Sequence, residues 1–222
     1  MAVIQGWEPD GLFRHFEEIS AIPRGSGNER AISDFLMAFA RERGLEAHQD
    51  QVWNVVIKKP ASPGGEGLPP VMLQGHLDMV CEKNAAVSHD FSSEGIRLVQ
   101  EDGWLRADGT TLGADNGVAV ALMMALLEDA DLRHPPLECV FTVQEETGLT
   151  GAIQLDPALV SARTMINLDS EDEGVATVSC AGGMRVNLSR DCCWEPAGPD
   201  GLRIELRGPL GGHSGTDIHL ER

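Results

Sequence analysis

The chain has 222 residues, enough for one large domain or one domain with part of another, and its 42% apolar content supports a packed core. With 17 basic and 35 acidic residues the formal net charge is −18. That sign argues against nucleic acid as a partner and suits a protein that gathers cations, and no apolar run reaches the length of a membrane span.

From the N-terminus, Leu12, Phe13, Phe16 and Ile19 recur at helical spacing over 9–19. "SGNE" (Ser26–Glu29) has the form of a capping box, and the helix behind it carries Ile32, Phe35, Leu36 and Phe39 before Gly44 stops it. "QVWNVVIKK" predicts a strand, and the Pro- and Gly-rich run 60–70 a surface loop. "VMLQGH" (Val71–His76) predicts a buried strand, and "IRLVQEDGWLRADG" a hairpin turning at Asp102–Gly103. In "ADNGVAVALMMALLED" every residue from Val118 to Leu127 is apolar, so the helix is expected to be buried on all sides, with Asp115 or Asn116 capping its start. "LECVFTV" and "TMINLD" (Thr164–Asp169) predict two more buried strands. Strands and helices alternate, which predicts an α/β architecture. After Glu173 the pattern changes to half-exposed alternation in "GVATVSCAGGMRVNLSR" and "GLRIELRGPLGG", read as strands of a second domain. The boundary falls near 170–176, giving domains 1–172 and 173–222.

The five cysteines (Cys81, Cys139, Cys180, Cys192 and Cys193) are odd in number, with two adjacent and no C-x-x-C. This argues against a disulfide framework or a structural zinc knuckle and for a reducing, cytoplasmic setting. "MAVIQGWEPDG" has neither the basic nor the apolar region of a signal peptide.

Several predicted elements begin or end in polar residues. His76 and Asp78 end one strand, Glu145 and Glu146 another, Asp169 a third, and Asp115 stands at the mouth of the buried helix. If the strands are parallel neighbours, these groups converge in the crevice beyond their carboxyl ends. Taken singly, each has an ordinary reading: a cap for Asp115, a turn residue for Asp169, a core histidine for His76, a solvated pair for the glutamates. Jointly they make a cluster of carboxylates that would repel unless a cation intervened. Imidazole with carboxylates suits Zn²⁺, Mn²⁺ or Co²⁺, and this many carboxylates suits a pair of ions roughly 3.5–4 Å apart. Two weaker motifs fail: "GSGNER" lacks the last glycine of a dinucleotide fingerprint, and Ser214 in "GGHSG" lacks the flanking glycines of a nucleophile elbow. A metallophosphoesterase would call for a further His and Asn ligands at the strand ends, which the sequence does not offer.

"GHLDMV", "GTTLGADNG", "EETGLTGA", "NLDSEDEG" and "GGHSGTDI" occur in this order. Together they resemble the motifs of the two-metal aminopeptidase/carboxypeptidase/aminoacylase superfamily. Within it they look most like the bacterial aminoacyl-histidine dipeptidases (carnosinase-like, cytosol non-specific dipeptidases), over about residues 7–222. The resemblance implies a mixed, largely parallel sheet flanked by helices, a zinc-peptidase-like core, followed by the start of an inserted α+β lid. It implies two divalent ions, Zn²⁺ foremost, with Co²⁺ or Mn²⁺ as alternatives. His76 and Asp169 would hold one ion, Glu146 the other, and Asp115 both. Asp78 would orient the His76 ring, Glu145 would be the general base, and His213 in the lid would steady the oxyanion. The implied activity is hydrolysis of dipeptides, Xaa-His above all, with a related deacylase or tripeptidase, or an inactive metal-binding product, as alternatives. A homodimer is implied for the intact protein. Because the chain ends inside the lid, before the family's last histidine ligand, it reads as an N-terminal fragment.

Overall fold

The computed structural model describes residues 3–170, 174–179, 186–194, 196, 201–205 and 218–220. Cys180 and His213 lie outside them. The chain forms two compact units, Met1–Val175 and Ala176–Arg222.

In the first unit, α1 (Asp10–Ser20) buries Phe16 and Ile19, and α2 (Arg30–Glu42) buries Ile32, Leu36 and Phe39, the faces their spacing predicts. The turn after α2 places Gly44 at φ 64°, a conformation glycine adopts without strain. The start of α2 is not a capping box. Glu29 is the N-cap residue, and no side chain bonds the first helical amides. Ser26 Oγ instead donates to Asp78 Oδ2 at 2.7 Å, and Glu29 Oε1 accepts the amide of Gln144 at 3.0 Å. Buried groups left unpaired would cost more than helix amides that water can reach, so the distant partners win.

β1 (Glu46–Gln49), β2 (Val55–Lys59), β3 (Val71–His76), β6 (Leu137–Thr142) and β7 (Thr164–Asn167) form one sheet in the order β1-β2-β6-β3-β7. β1 and β2, and β2 and β6, pair antiparallel, whereas β3 lies parallel to both β6 and β7. The strand read from "QVWNVVIKK" begins only at Val55, because the Asp50 carboxylate accepts the amides of Val52 and Asn54 and turns the chain there. β1, "EAHQ", has no apolar alternation to announce it. β4 (Leu98–Glu101) and β5 (Trp104–Ala107) form the expected hairpin, with Asp102 and Gly103 both at positive φ.

α3 (Ala114–Glu128) packs on α1 and β3 and completes the core with Val120, Met123, Met124 and Leu127. Gly75 lets it lie close, since a Cβ there would sit 2.9 Å from that of Ala119. α3 is not buried on all sides, because Val118 is 44% exposed. Neither Asp115 nor Asn116 caps it: Gly113 is the N-cap residue, and the Asp115 carboxylate instead faces His76 Nε2 at 3.0 Å. β7 also departs from expectation. Among the described residues only β3 lies beside it, and all four of its residues are exposed.

In the second unit, the described stretches within 176–205 carry no strand, contrary to the reading of both segments. A strand needs a hydrogen-bonded neighbour, and none pairs with these residues among those described. A short 3₁₀ turn spans Ile218–Leu220.

Candidate metal centre

β6, β3 and β7 run parallel, with His76 opposite Thr142 and Gln74 opposite Asn167. Whatever follows each strand therefore emerges at one edge of the sheet. His76 ends β3, the Glu145–Glu146 pair follows β6 through Gln144 at φ 51°, and Asp169 follows β7. Asp115 joins them because the first turn of α3 is irregular, with non-helical angles at Asp115 and Asn116.

His76 is the centre of the arrangement and is 1% exposed. Its Nε2 lies 3.0 Å from Asp115 Oδ1, 3.9 Å from Glu145 Oε2 and 4.0 Å from Asp169 Oδ2. Its Nδ1 faces Asp78, 3.0 Å from the main-chain carbonyl and 3.3 Å from Oδ1. Two groupings bring potential ligand atoms within 4.8 Å of one another: His76 with Asp115 and Glu146, and His76 with Glu145 and Asp169. Both members of the glutamate pair thus reach the cluster. Asp78 is fully buried, and its carboxylate accepts the amides of Glu145 (3.0 Å) and Glu146 (3.3 Å) as well as the Ser26 hydroxyl. Beside the cluster lies a mostly apolar cavity of about 370 Å³, bounded by Met72, Val140, Leu155, Met165, Glu145 and Asp169.

Residues 72–205 match the family model of peptidase family M20/M25/M40. The chain belongs to this family. It is 40% identical over 222 residues to the cytosol non-specific dipeptidase of Escherichia coli (strain K12), a match covering 99% of this chain and 46% of that protein. Among solved structures it resembles aminoacylhistidine dipeptidase from Vibrio alginolyticus, with TM-score 0.73 and 40% identity over 75% of this chain and 34% of that one. A tripeptidase from Staphylococcus aureus subsp. aureus mu50 follows with TM-score 0.61 and 26% identity, over 73% of this chain and 43% of that one. The chain spans under half the length of the curated relatives it matches.

The electrostatics of this M20 cluster follow from crowding. Burial works against the His76 imidazolium, but the hydrogen bond and charge of Asp78, with the charges of Asp169 and Asp115, outweigh it and raise the ring to about 9. Burial also opposes the Asp78 carboxylate, yet its bonds from His76, the Glu145 amide and Ser26 bring it below the usual range. Glu145 and Glu146 are both raised, first by burial, then for Glu145 by Asp169, Asp78 and Asp115, and for Glu146 by Asp115, Glu145 and Asp78, with His76 countering in each. The raised ring favours an imidazolium, a positive charge set among these carboxylates. One imidazole with four carboxylates is a donor set that fits a borderline divalent ion in its place.

Sequence reasoning named the six charged residues gathered here but missed three supporting ones. Arg24, Ser26 and Glu29 all turn toward the site. The "SGNE" pattern did flag two of them, in the wrong role.

Proposed function

We propose that the protein is a metal-dependent dipeptidase whose preferred substrates are Xaa-His dipeptides of the β-Ala-His type. The observation that carries this reading is the convergence of His76, Asp115, Glu145, Glu146 and Asp169 where three adjacent parallel strands end. The 40% identity to a dipeptidase supports it. His76 and Asp169 are the residues for one ion, Glu146 for a second, and Asp115 for both; Zn²⁺ suits them, as do Co²⁺ and Mn²⁺. When bound, such ions lower the pKa of a water towards neutrality and polarise a carbonyl.

The rest of the chemistry belongs to the chain. Asp78 holds Nδ1 of His76, which leaves Nε2 free to face the cluster. Glu145 takes a proton from the attacking water and returns it to the leaving amine, a role its raised pKa favours. The adjoining cavity is of a size for a small peptide's side chain. His213, outside the described residues, is assigned to the oxyanion. We place the protein in the cytosol and take the intact form to be a homodimer. The similarity to a tripeptidase gives a second reading, in which the same chemistry serves a longer peptide.

The test is Glu145→Gln in the intact protein, assayed on Xaa-His dipeptides, tripeptides and N-acyl amino acids. Turnover should fall by about 10²–10⁴-fold while bound metal stays near normal. Unchanged turnover removes Glu145 from the role, and faster cleavage of tripeptides by the unaltered protein selects the second reading.

A further inference from the structure

The turn between α1 and α2 sends three side chains inward beneath the cluster. Arg24 is 2% exposed, although it carries a full charge. Its Nη1 donates to the carbonyls of Leu77 (2.9 Å) and Asp78 (3.3 Å), and its Nη2 donates to the carbonyl of Gly113. One guanidinium therefore ties the segment carrying His76 and Asp78 to the segment that leads into Asp115. The space for it is made by two glycines: a Cβ at Gly113 would lie 2.6 Å from Nη2, and one at Gly117 2.7 Å. Both glycines belong to "GTTLGADNG", so the motif holds room for an arginine about 90 residues away. At the other end of the turn, Glu29 is fully buried and accepts the Gln144 amide. The amides of Gln144, Glu145 and Glu146 are thus held in succession by the carboxylates of Glu29 and Asp78.

We propose that Arg24 and Glu29 are positioning residues that set the strand-end ligands at their working separations, Arg24 for His76 against Asp115 and Glu29 for the Glu145–Glu146 pair. The inference rests on the metal-site reading for its consequence, but the contacts exist without a metal. Neither side chain touches the cluster's ligand atoms. An arginine is suited to the task because its planar fork serves several carbonyls at once, which the point charge of a lysine does not. Residues that orient metal ligands typically change affinity by 10–100-fold when altered.

The experiment has two arms, both on the 222-residue chain. In the first, amide hydrogen exchange is followed without metal. Arg24→Met should speed exchange across residues 113–118, and Glu29→Met should speed it at Gln144–Glu146, while the core of β6 stays protected. In the second, Co²⁺ is titrated and its visible spectrum recorded. Both variants should bind roughly 10–100-fold more weakly with an altered spectrum, and Arg24→Lys should recover part of the loss. Leu36→Ala, in the core of α2, serves as the control: it should lower stability and leave the Co²⁺ spectrum of the folded protein unchanged. Variants that keep wild-type exchange at these segments, or whose spectrum moves no more than the control's, overturn the proposal. Altered exchange in a chain whose wild type takes up no Co²⁺ would uphold the positioning and overturn the metal reading. If Arg24→Met does not fold, Arg24→Lys and Glu29→Met decide by the same two criteria.

Discussion

The carboxylate of Asp78 lies 3.3 Å from Nδ1 of His76 and at the same time receives the Glu145 amide at 3.0 Å. One buried group thereby fixes both the orientation of the imidazole and the place where the glutamate pair leaves its strand. Asp78→Asn keeps the shape but removes the charge and turns one acceptor into a donor facing other donors. Co²⁺ affinity should fall roughly 10–100-fold, read by visible titration, with the fold retained by circular dichroism. Wild-type affinity would show that Asp78 serves the fold and not the ligand.

Metal uptake should be coupled to proton release. His76 in the metal-free chain is held to about 9, so at pH 7 it carries a proton that a metal must displace. Affinity should therefore rise by up to about tenfold per pH unit from pH 7 toward 9 and gain nothing further from His76 above that. Calorimetric titration in buffers of different ionisation enthalpy should report close to one proton released at pH 7. A heat that does not depend on the buffer would contradict this.

Away from the site, Glu128 joins Arg14 at 2.9 Å, His15 at 2.7 Å and Arg43 at 3.3 Å. Burial opposes the carboxylate, but the bonds from Arg14 and His15 and the Arg14 and Arg43 charges outweigh it and depress Glu128 to about 2. A depressed carboxyl stabilises the fold above its unfolded value, near 4.5, and loses that contribution as pH falls toward 2. Glu128→Gln should lower the urea midpoint at pH 7, and the gap from wild type should narrow as the titration descends through pH 4 to 2. A gap that stays constant with pH would show that the loss is not electrostatic.

Gly113 sits at φ 70°, and a Cβ there would meet Arg24 Nη2 and Met79 Sδ at 2.6 and 2.7 Å. Gly103, in the hairpin, has φ 78° with nothing within 4 Å. Both positions strain an alanine's backbone, but only the first also overpacks it. Gly113→Ala should cost about 1–3 kcal/mol more than Gly103→Ala in equilibrium unfolding. Equal losses would mean that Arg24 has room to move.

Much of the site was legible because parallel pairing turns three separate strand ends into one edge. His76, Glu145, Glu146 and Asp169 needed only strand placement and order to be brought together. The first turn of α3 was not legible, since Asp115 looks like an ordinary cap until its backbone is seen to leave the helix. "SGNE" misled for a related reason. The spacing suits a local cap, and nothing local reports that Ser26 and Glu29 have partners 52 and 115 residues away. β1 escaped because three polar residues and one alanine carry no apolar alternation, and the exposure of β7 depends on its place in the sheet order, which its own apolar sequence does not reveal.

The turn from Arg24 to Glu29 also has a place in time. It is synthesised before its partners, since Gly113 and Gln144 come 89 and 115 residues later. Until they appear, a guanidinium and a carboxylate destined for the interior remain in water, and the loops they join have no fixed spacing. Contacts this distant in sequence are slow to form because a long loop must close before they contribute. The cluster therefore cannot be assembled until the chain some 115 residues beyond this turn has been made, and a metal ion meets a finished site only once that distant segment has folded back onto it.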